Sequence, residues 1–279
     1  MKGVNKFMNT KKIVLNCVAI LIAIFVLLPL LWMLIVSLKP NGNAAVEIKD
    51  WFNFSDLTIS NYVNVIKNSN IFLWTLNSFI IGVITTIICV FTSSLAAYVF
   101  SKKHFKLKPV LYLFVVSGLL IPTEAIMVPL YDTVLHLNLI DNMWGIILPG
   151  LTNPLGIILM KQFMDGIPND YIEAARLEGC SDFAIWRKIC LPLTKSAMVS
   201  IGIFYFVLSW NNFIWPYIAI NSEENMVLAT GLPTFLGSNA MQINTIMAAS
   251  AIAAIPTIIV FLILQKHIIK GVAMSGIKG

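Results

Sequence analysis

Four cysteines and three histidines are the side chains here best suited to covalent or metal chemistry, and their spacing argues against it. Cys17, Cys89, Cys180 and Cys190 form no C-x-x-C pair, and His104, His136 and His267 are scattered. No zinc or redox site can be assembled from that spacing, and no cluster of His, Asp, Glu or Cys offers a catalytic constellation. The segment Gly271–Gly279 superficially matches a nucleotide-binding loop, but Ile277 stands where G-x4-G-K needs lysine. What remains is the chemistry of binding. Gly202, Tyr205, Ser209, Asn212 and Pro216 recur at helical spacing, flanked by Phe206, Trp210, Phe213 and Trp215. That pattern puts hydroxyl, amide and aromatic groups on one helix face. Such a face suits the lining of a solute path, since aromatic rings match the apolar faces of sugars. It equally suits interhelical hydrogen bonds beside an interfacial aromatic belt. Asn153 lies among Pro149, Gly150, Pro154 and Gly156, a broken helix of the kind tolerated where it faces protein or a water-filled cavity. Glu124, just after Pro122, is the one acid inside an apolar run. It either faces a functional path or sits wetted near the outer interface.

The elements that must position these groups follow from composition. Of 279 residues, 58% are hydrophobic and 11% charged, and mean hydropathy is +0.84. Soluble domains carry about 25% charged residues. A soluble enzyme, a disordered chain and a disulfide scaffold are excluded. Six runs approach the ~20 apolar residues a membrane-crossing helix needs: roughly 13–36, 71–100, 109–130, 143–160, 197–220 and 246–264. The first is too long for a signal-peptide core, and no strand-like alternation suggests a β-barrel. An all-α, polytopic membrane protein of six transmembrane helices is expected. One span carries Ser78, Gly82, Thr85, Cys89, Thr92 and Ala96 on a single face, a small-residue stripe that predicts tight helix packing.

Charge sets the orientation. Lys and Arg cluster before the first run, in the second and fourth loops and in the tail: sixteen residues, against Lys39, Lys49 and Lys67 in the first loop. The positive-inside rule then puts both termini in the cytoplasm. The net charge of +6 is read as topology and not as nucleic-acid binding. Three regions follow: 1–70 with the first span and an extracytoplasmic loop, a core over 71–265, and a cytoplasmic tail over 266–279. In the first loop, 60–70 predicts a short amphipathic helix with Tyr62, Val63 and Ile66 on one face.

The fourth loop, within 165–196, predicts two short helices. Asp170 is a plausible N-cap with Glu173 three residues on; Gly179 stops the first helix; Ser181 caps the second. Tyr171, Ile172, Ala174 and Ala175 would be exposed or would need a partner, suiting a helix that docks into a groove. Glu173, Ala174, Ala175, Gly179, Ile189, Leu191 and Pro192 fit E-A-A-x3-G-x9-I-x-L-P. This loop resembles the signature of the permease subunits of binding-protein-dependent ABC importers. The resemblance extends over roughly 70–279, through Asn77-Ser78, Ile121-Pro122, Trp210-Asn211-Asn212-Phe213 and the tail from Gly271, and is closest to the second permease of the carbohydrate-uptake class. Glu178 departs from the family's more usual Asp.

The resemblance implies a type I importer permease fold in a prokaryotic plasma (inner) membrane, and a transport role without catalysis. The 170–192 loop would be the coupling segment, with Glu173 pairing with a basic group of an ATPase. Ser275, Gly276 and Lys278 of the tail would contact the ATPase dimer. Implied partners are a second permease forming a heterodimer, two copies of a P-loop ATPase and an extracytoplasmic solute-binding protein. This chain would bind no cofactor, with ATP and Mg on the ATPase. Tyr205, Ser209, Trp210, Asn212, Phe213, Asn153 and Glu124 are the candidate path residues for an oligosaccharide. The alternatives are a stand-alone secondary transporter, a permease for another solute such as glycerol phosphate, and a membrane-embedded enzyme.

Overall fold

The structure, a computed structural model, describes residues 2–42, 47–235 and 243–275, with side-chain surroundings between residues 12 and 263. The tail positions Gly276 and Lys278 lie outside the described residues, as does the side chain of Ser275. All regular structure among the described residues is helical.

The helices are α1 (Lys2–Ser37), α2 (Ser60–Asn68), α3 (Ile71–Lys102), α4 (Lys108–Ser117), α5 (Met127–His136), α6 (Met143–Ile147), α7 (Pro154–Asp165), α8 (Asn169–Leu177), α9 (Asp182–Leu193), α10 (Lys195–Trp210), α11 (Ile214–Ala219) and α12 (Ile243–Ser275). Among the described residues, three are long and apolar enough to cross a membrane: α1 from Lys12, α3, and α12 to Ile263. Two further pairs qualify only together, α6–α7 bent by 44° and α9–α10 bent by 80°. The apolar run expected over 109–130 is not one helix. It divides into α4, a 3-10 turn over Thr123–Ile126 and α5. Pro122 cannot donate a backbone hydrogen bond, and it sits extended at ψ 134°, which ends helical geometry there.

The chain forms two compact units. In the first, residues 1–69 with 232–254, the loop after α1 is tied back by its own polar groups. Asn61 donates to the carbonyls of Ser37 (2.8 Å) and Lys39 (2.7 Å), and the buried Lys39 ammonium donates to the Asn53 carbonyl. The Ser37 and Tyr62 hydroxyls hydrogen-bond at 2.7 Å. The helix expected at 60–70 forms as α2, but its buried face carries Asn61 and Val65; Val63 and Ile66 are exposed. Asn61 sits inward because two carbonyls at the end of α1 need a donor.

In the second unit, residues 70–231 with 255–279, α3 is the central rod. Its 32 residues extend about 48 Å at helical rise. Ser78, Gly82, Thr85 and Cys89 of the small-residue stripe are buried, so helices approach closely on that face. Thr92 Oγ1 donates to the Leu151 carbonyl at 2.9 Å, satisfying an acceptor exposed by the break between α6 and α7. One apolar core gathers Cys89, Ala97, Met160, Met164, Ile172, Ile185, Trp186 and Ala197; a second gathers Ile81, Val134, Ile147, Trp215 and Val227.

Candidate functional site

Three interruptions of helix meet at one place. The turn Thr123–Ile126, the segment 148–153 and the kink at 211–213 all border a cavity of about 450 Å³. Its polar wall is Thr85, Thr123, Thr152, Asn153, Tyr205, Ser209 and Asn212; Ile126, Leu130, Leu208 and Trp215 supply much of its apolar wall. No Lys, Arg, His, Asp or Glu is among the lining residues. Irregular backbone in a membrane protein survives where it is buried in protein or faces a water-filled cavity, because its unpaired groups need partners. The convergence of three breaks on one polar-walled space fits that requirement.

Each wall residue has a local cause. Asn153 caps α7, its side-chain oxygen accepting from the Leu155 amide at 2.9 Å, with Pro154 at the first helical position. Tyr205 is held by contact with a glycine: a Cβ at Gly156 would stand 2.4 Å from the Tyr205 hydroxyl and 2.7 Å from Ser93 Oγ. Trp215 Nε1 donates to the Gly145 carbonyl at 3.0 Å, which fixes the indole beside the space.

Of the path candidates read from the sequence, Tyr205, Ser209, Asn212 and Asn153 line the cavity. Trp210 does not: it is buried and stacks on Phe206, with centroids 5.7 Å apart. Phe213 is half-exposed and stacks on Tyr217. Glu124 is exposed and is not a lining residue, although its neighbours Thr123 and Ile126 are. Trp210 lies within α10, about 100° or more around the helix from Tyr205 and Ser209, and Phe213 follows the kink at 211–213, where the 3.6-residue register ends. Among the lining residues missed are Trp215, Thr85, Thr123 and Thr152, with the aliphatic part of the wall. Thr85 was legible only as a member of the packing stripe, and Trp215 only as a flanking aromatic.

The second candidate region is the loop after α7. Helix α8 buries Ile172 and Ala175 against the core and exposes Tyr171, Glu173, Ala174, Arg176 and Leu177. Thus Ile172 and Ala175 are not free for a partner. Pro168 holds the N-cap position, and no side chain caps the helix there. The Asp170–Glu173 capping box does not form, because Asn169 begins the helix and Asp170 lies inside its first turn. Gly179 ends α8 with φ +79° and open space around its Cα. Ser181 does cap α9, accepting from the Ala184 amide at 3.3 Å. A π-helical turn over Trp186–Cys190 follows, and Ile189 and Leu191 pack on the core while Pro192 is exposed. Glu173 makes no ion pair among the described residues.

Comparison with known proteins decides the family. Residues 89–274 match the model of the binding-protein-dependent transport system inner membrane component. The chain belongs to this family. The permease is 32% identical to the arabinooligosaccharides transport system permease protein of Bacillus subtilis (strain 168), over 96% of each chain. It is 29% identical to the trehalose/maltose transport system permease protein of Thermococcus litoralis, over 96% of this chain and 98% of the relative. Among solved structures, it superimposes with a TM-score of 0.77 and 25% identity on a bacterial ABC transporter involved in the import of the acidic polysaccharide alginate. That match covers 92% of this permease and 96% of the other chain. The fold is therefore the type I importer permease fold, and the protein is an inner-membrane transport component and not a catalyst.

Proposed function

We propose that this permease forms half of the translocation path of an ATP-driven importer for a neutral oligosaccharide. The observation that carries the reading is the cavity wall: hydroxyl and amide side chains and two aromatic rings set in an apolar surround, with no charged residue among them. Hydroxyls and amides exchange hydrogen bonds with sugar hydroxyls, and Tyr205 and Trp215 offer flat apolar surface, the mixture expected of a small-molecule site. Relatives named for arabinooligosaccharides and for trehalose/maltose support the same substrate class. An anionic solute such as glycerol phosphate would want a cation beside it, and the wall has none.

In this reading six spans cross the membrane, the third, fourth and fifth interrupted beside the path, with both termini in the cytoplasm. Helix α8 is the coupling helix, offering Glu173 and Ala174 to a separate P-loop ATPase; Gly179 sets its angle, and Ile189, Leu191 and Pro192 anchor the segment behind it. The tail at Ser275, Gly276 and Lys278 contacts the same ATPase. ATP and Mg are bound there and not by this chain. A second permease completes the pore, and an extracytoplasmic binding protein delivers solute. Nucleotide acts by favouring one of two pore states over the other.

The test is co-purification. The tagged permease, expressed with its neighbouring genes and extracted in mild detergent, is expected to bring down a second permease and a P-loop ATPase. The associated binding protein is then screened by calorimetry against arabinotriose, maltose, diacetylchitobiose and glycerol 3-phosphate. Binding of a neutral saccharide supports the substrate class, and binding of glycerol phosphate alone overturns it. A permease that purifies alone and moves solute in vesicles without ATP overturns the whole reading.

A further inference from the structure

Both ends of α8 are tied to one end of α3. At the start of α8, Lys102 Nζ donates to the Ile167 carbonyl at 2.6 Å and to Asn169 Oδ1 at 3.1 Å. Lys102 is buried, without a carboxylate at salt-bridge distance among the described residues, so its charge is held by these two acceptors. Past the far end of α8, Asp182 gathers three groups. It pairs with Lys103, accepts from the Tyr98 hydroxyl at 3.2 Å, and lies 3.7 Å from the guanidinium of Arg176 in the last turn of α8. Tyr98, Lys102 and Lys103 all lie in the last five residues of α3 or directly after it.

The other end of α3 is equally fixed. Asn70 donates to Glu223 Oε1, Trp74 Nε1 to the Glu223 carbonyl, and Asn77 to the carbonyls of Glu224 and Met226; Ser78 Oγ accepts from the Leu228 amide at 2.7 Å. Between the two anchorages lies Thr85, on the cavity wall, about 26 Å of helix from Lys102. An uninterrupted helix pinned at both ends moves as a body, whereas the other cavity-lining segments are broken beside the space.

We infer that Lys102 and Asp182 are positioning residues that lock α8 to α3, making α3 the rod through which displacement of the coupling helix reaches the cavity. The inference rests on the coupling role proposed for α8. Lys102 carries the larger share, because it is buried and its loss leaves the Ile167 carbonyl unpaired. The Asp182 cluster is half-exposed, and a solvent-exposed ion pair alone contributes little.

The experiment measures whether α3 and α8 stay in register. The permease, with Cys17 and Cys180 replaced by serine, receives spin labels at Val99→Cys on α3 and Tyr171→Cys on α8, both exposed. It is reconstituted in nanodiscs with its second permease and ATPase, and pulsed EPR is recorded without nucleotide and with ATP plus vanadate. In the parent the two labels are expected to keep one separation in both states. In Lys102→Met/Asp182→Asn the distribution broadens about twofold, and its mean shifts between states by about a helical turn, ~5 Å; Asp182→Glu behaves as the parent. A double variant with the parental distribution in both states overturns the inference, as does a parent whose labels part by a turn when ATP is trapped. Should the parent capture no ATPase, the functional reading fails separately. The latch is then read on the permease alone, where a double variant of parental width overturns it.

Discussion

Gly179 is the residue on which the angle of the coupling segment turns. Its φ of +79° falls in the left-handed region, and a Cβ would meet nothing within 4 Å, so a substitution there suffers from backbone strain and not from crowding. That strain is about 1–2 kcal/mol for an ordinary side chain and less for asparagine. We expect Gly179→Val to lose about 5- to 30-fold in uptake while still co-purifying with the ATPase, and Gly179→Asn to lose much less, as read by vesicle uptake and pull-down. Gly179→Asp should behave like asparagine in strain but add charge beside the ATPase, so it uncouples hydrolysis from uptake. Asp141 is a second residue whose role is local. At φ 59° it accepts hydrogen bonds from the Ser222 amide and hydroxyl and from the Asn221 amide. The Ser222 amide above all holds its carboxyl below the ordinary range. A carboxyl depressed in the folded state stabilises fully above its unfolded pKa, near 4, and loses that contribution as pH falls through the folded value. The melting temperature of detergent-solubilised parent should therefore drop more between pH 6 and pH 3 than that of Asp141→Asn. Gly179 was legible from its place after an alanine-rich helix. Asp141 was not, because its partners lie some 80 residues away and no local pattern announces them.

At the scale of elements, the breaks matter more than the spans. The interruption at Pro149–Pro154 was readable because proline, glycine and asparagine advertise it. The interruption at 118–126 was missed: a run rich in leucine and valine reads as one helix until Pro122 and the turn it forces are seen together. The kink at 211–213 was hidden the same way, and it misplaced Phe213 on the path; Trp210 was misplaced by its own angle around α10. The coupling loop shows the opposite case. Its two helices, glycine stop and Ser181 cap were legible, but Ile172 and Ala175 were not recognised as core because they join a cluster with residues of α3, α7 and α9, which periodicity within nine residues cannot report. Asn153 tests the importance of the breaks. Replacing it with alanine removes the cap of α7 and should cost about 1 kcal/mol. Uptake should fall more than the melting temperature suggests, because the same side chain faces the cavity; Asn153→Asp keeps the cap but adds a charge and should restore stability without uptake.

At the scale of the whole molecule, the uneven distribution of Lys and Arg fixes the expected orientation. Single cysteines replacing Phe105 and Leu137, in a chain with Cys17 and Cys180 changed to serine, should separate cleanly. A membrane-impermeant maleimide applied to intact cells is expected to label position 137 and to reach position 105 only after the membrane is opened. Labelling of position 105 from outside would invert the topology and with it the placement of α8 on the cytoplasmic side. The outer anchorage of α3 also bears on how the protein is made. The acceptors for Trp74 and Asn77, and the amide bound by Ser78, come 147 to 150 residues later in the chain. A ribosome adding about 5–20 residues per second needs roughly ten to thirty seconds to deliver them. Throughout that interval an indole N–H, a carboxamide and a hydroxyl wait at the rim of the bilayer for groups that do not yet exist. Nascent chains that stall before Ser222 never receive those partners, and the outer end of α3 then has only water and lipid headgroups to pair with.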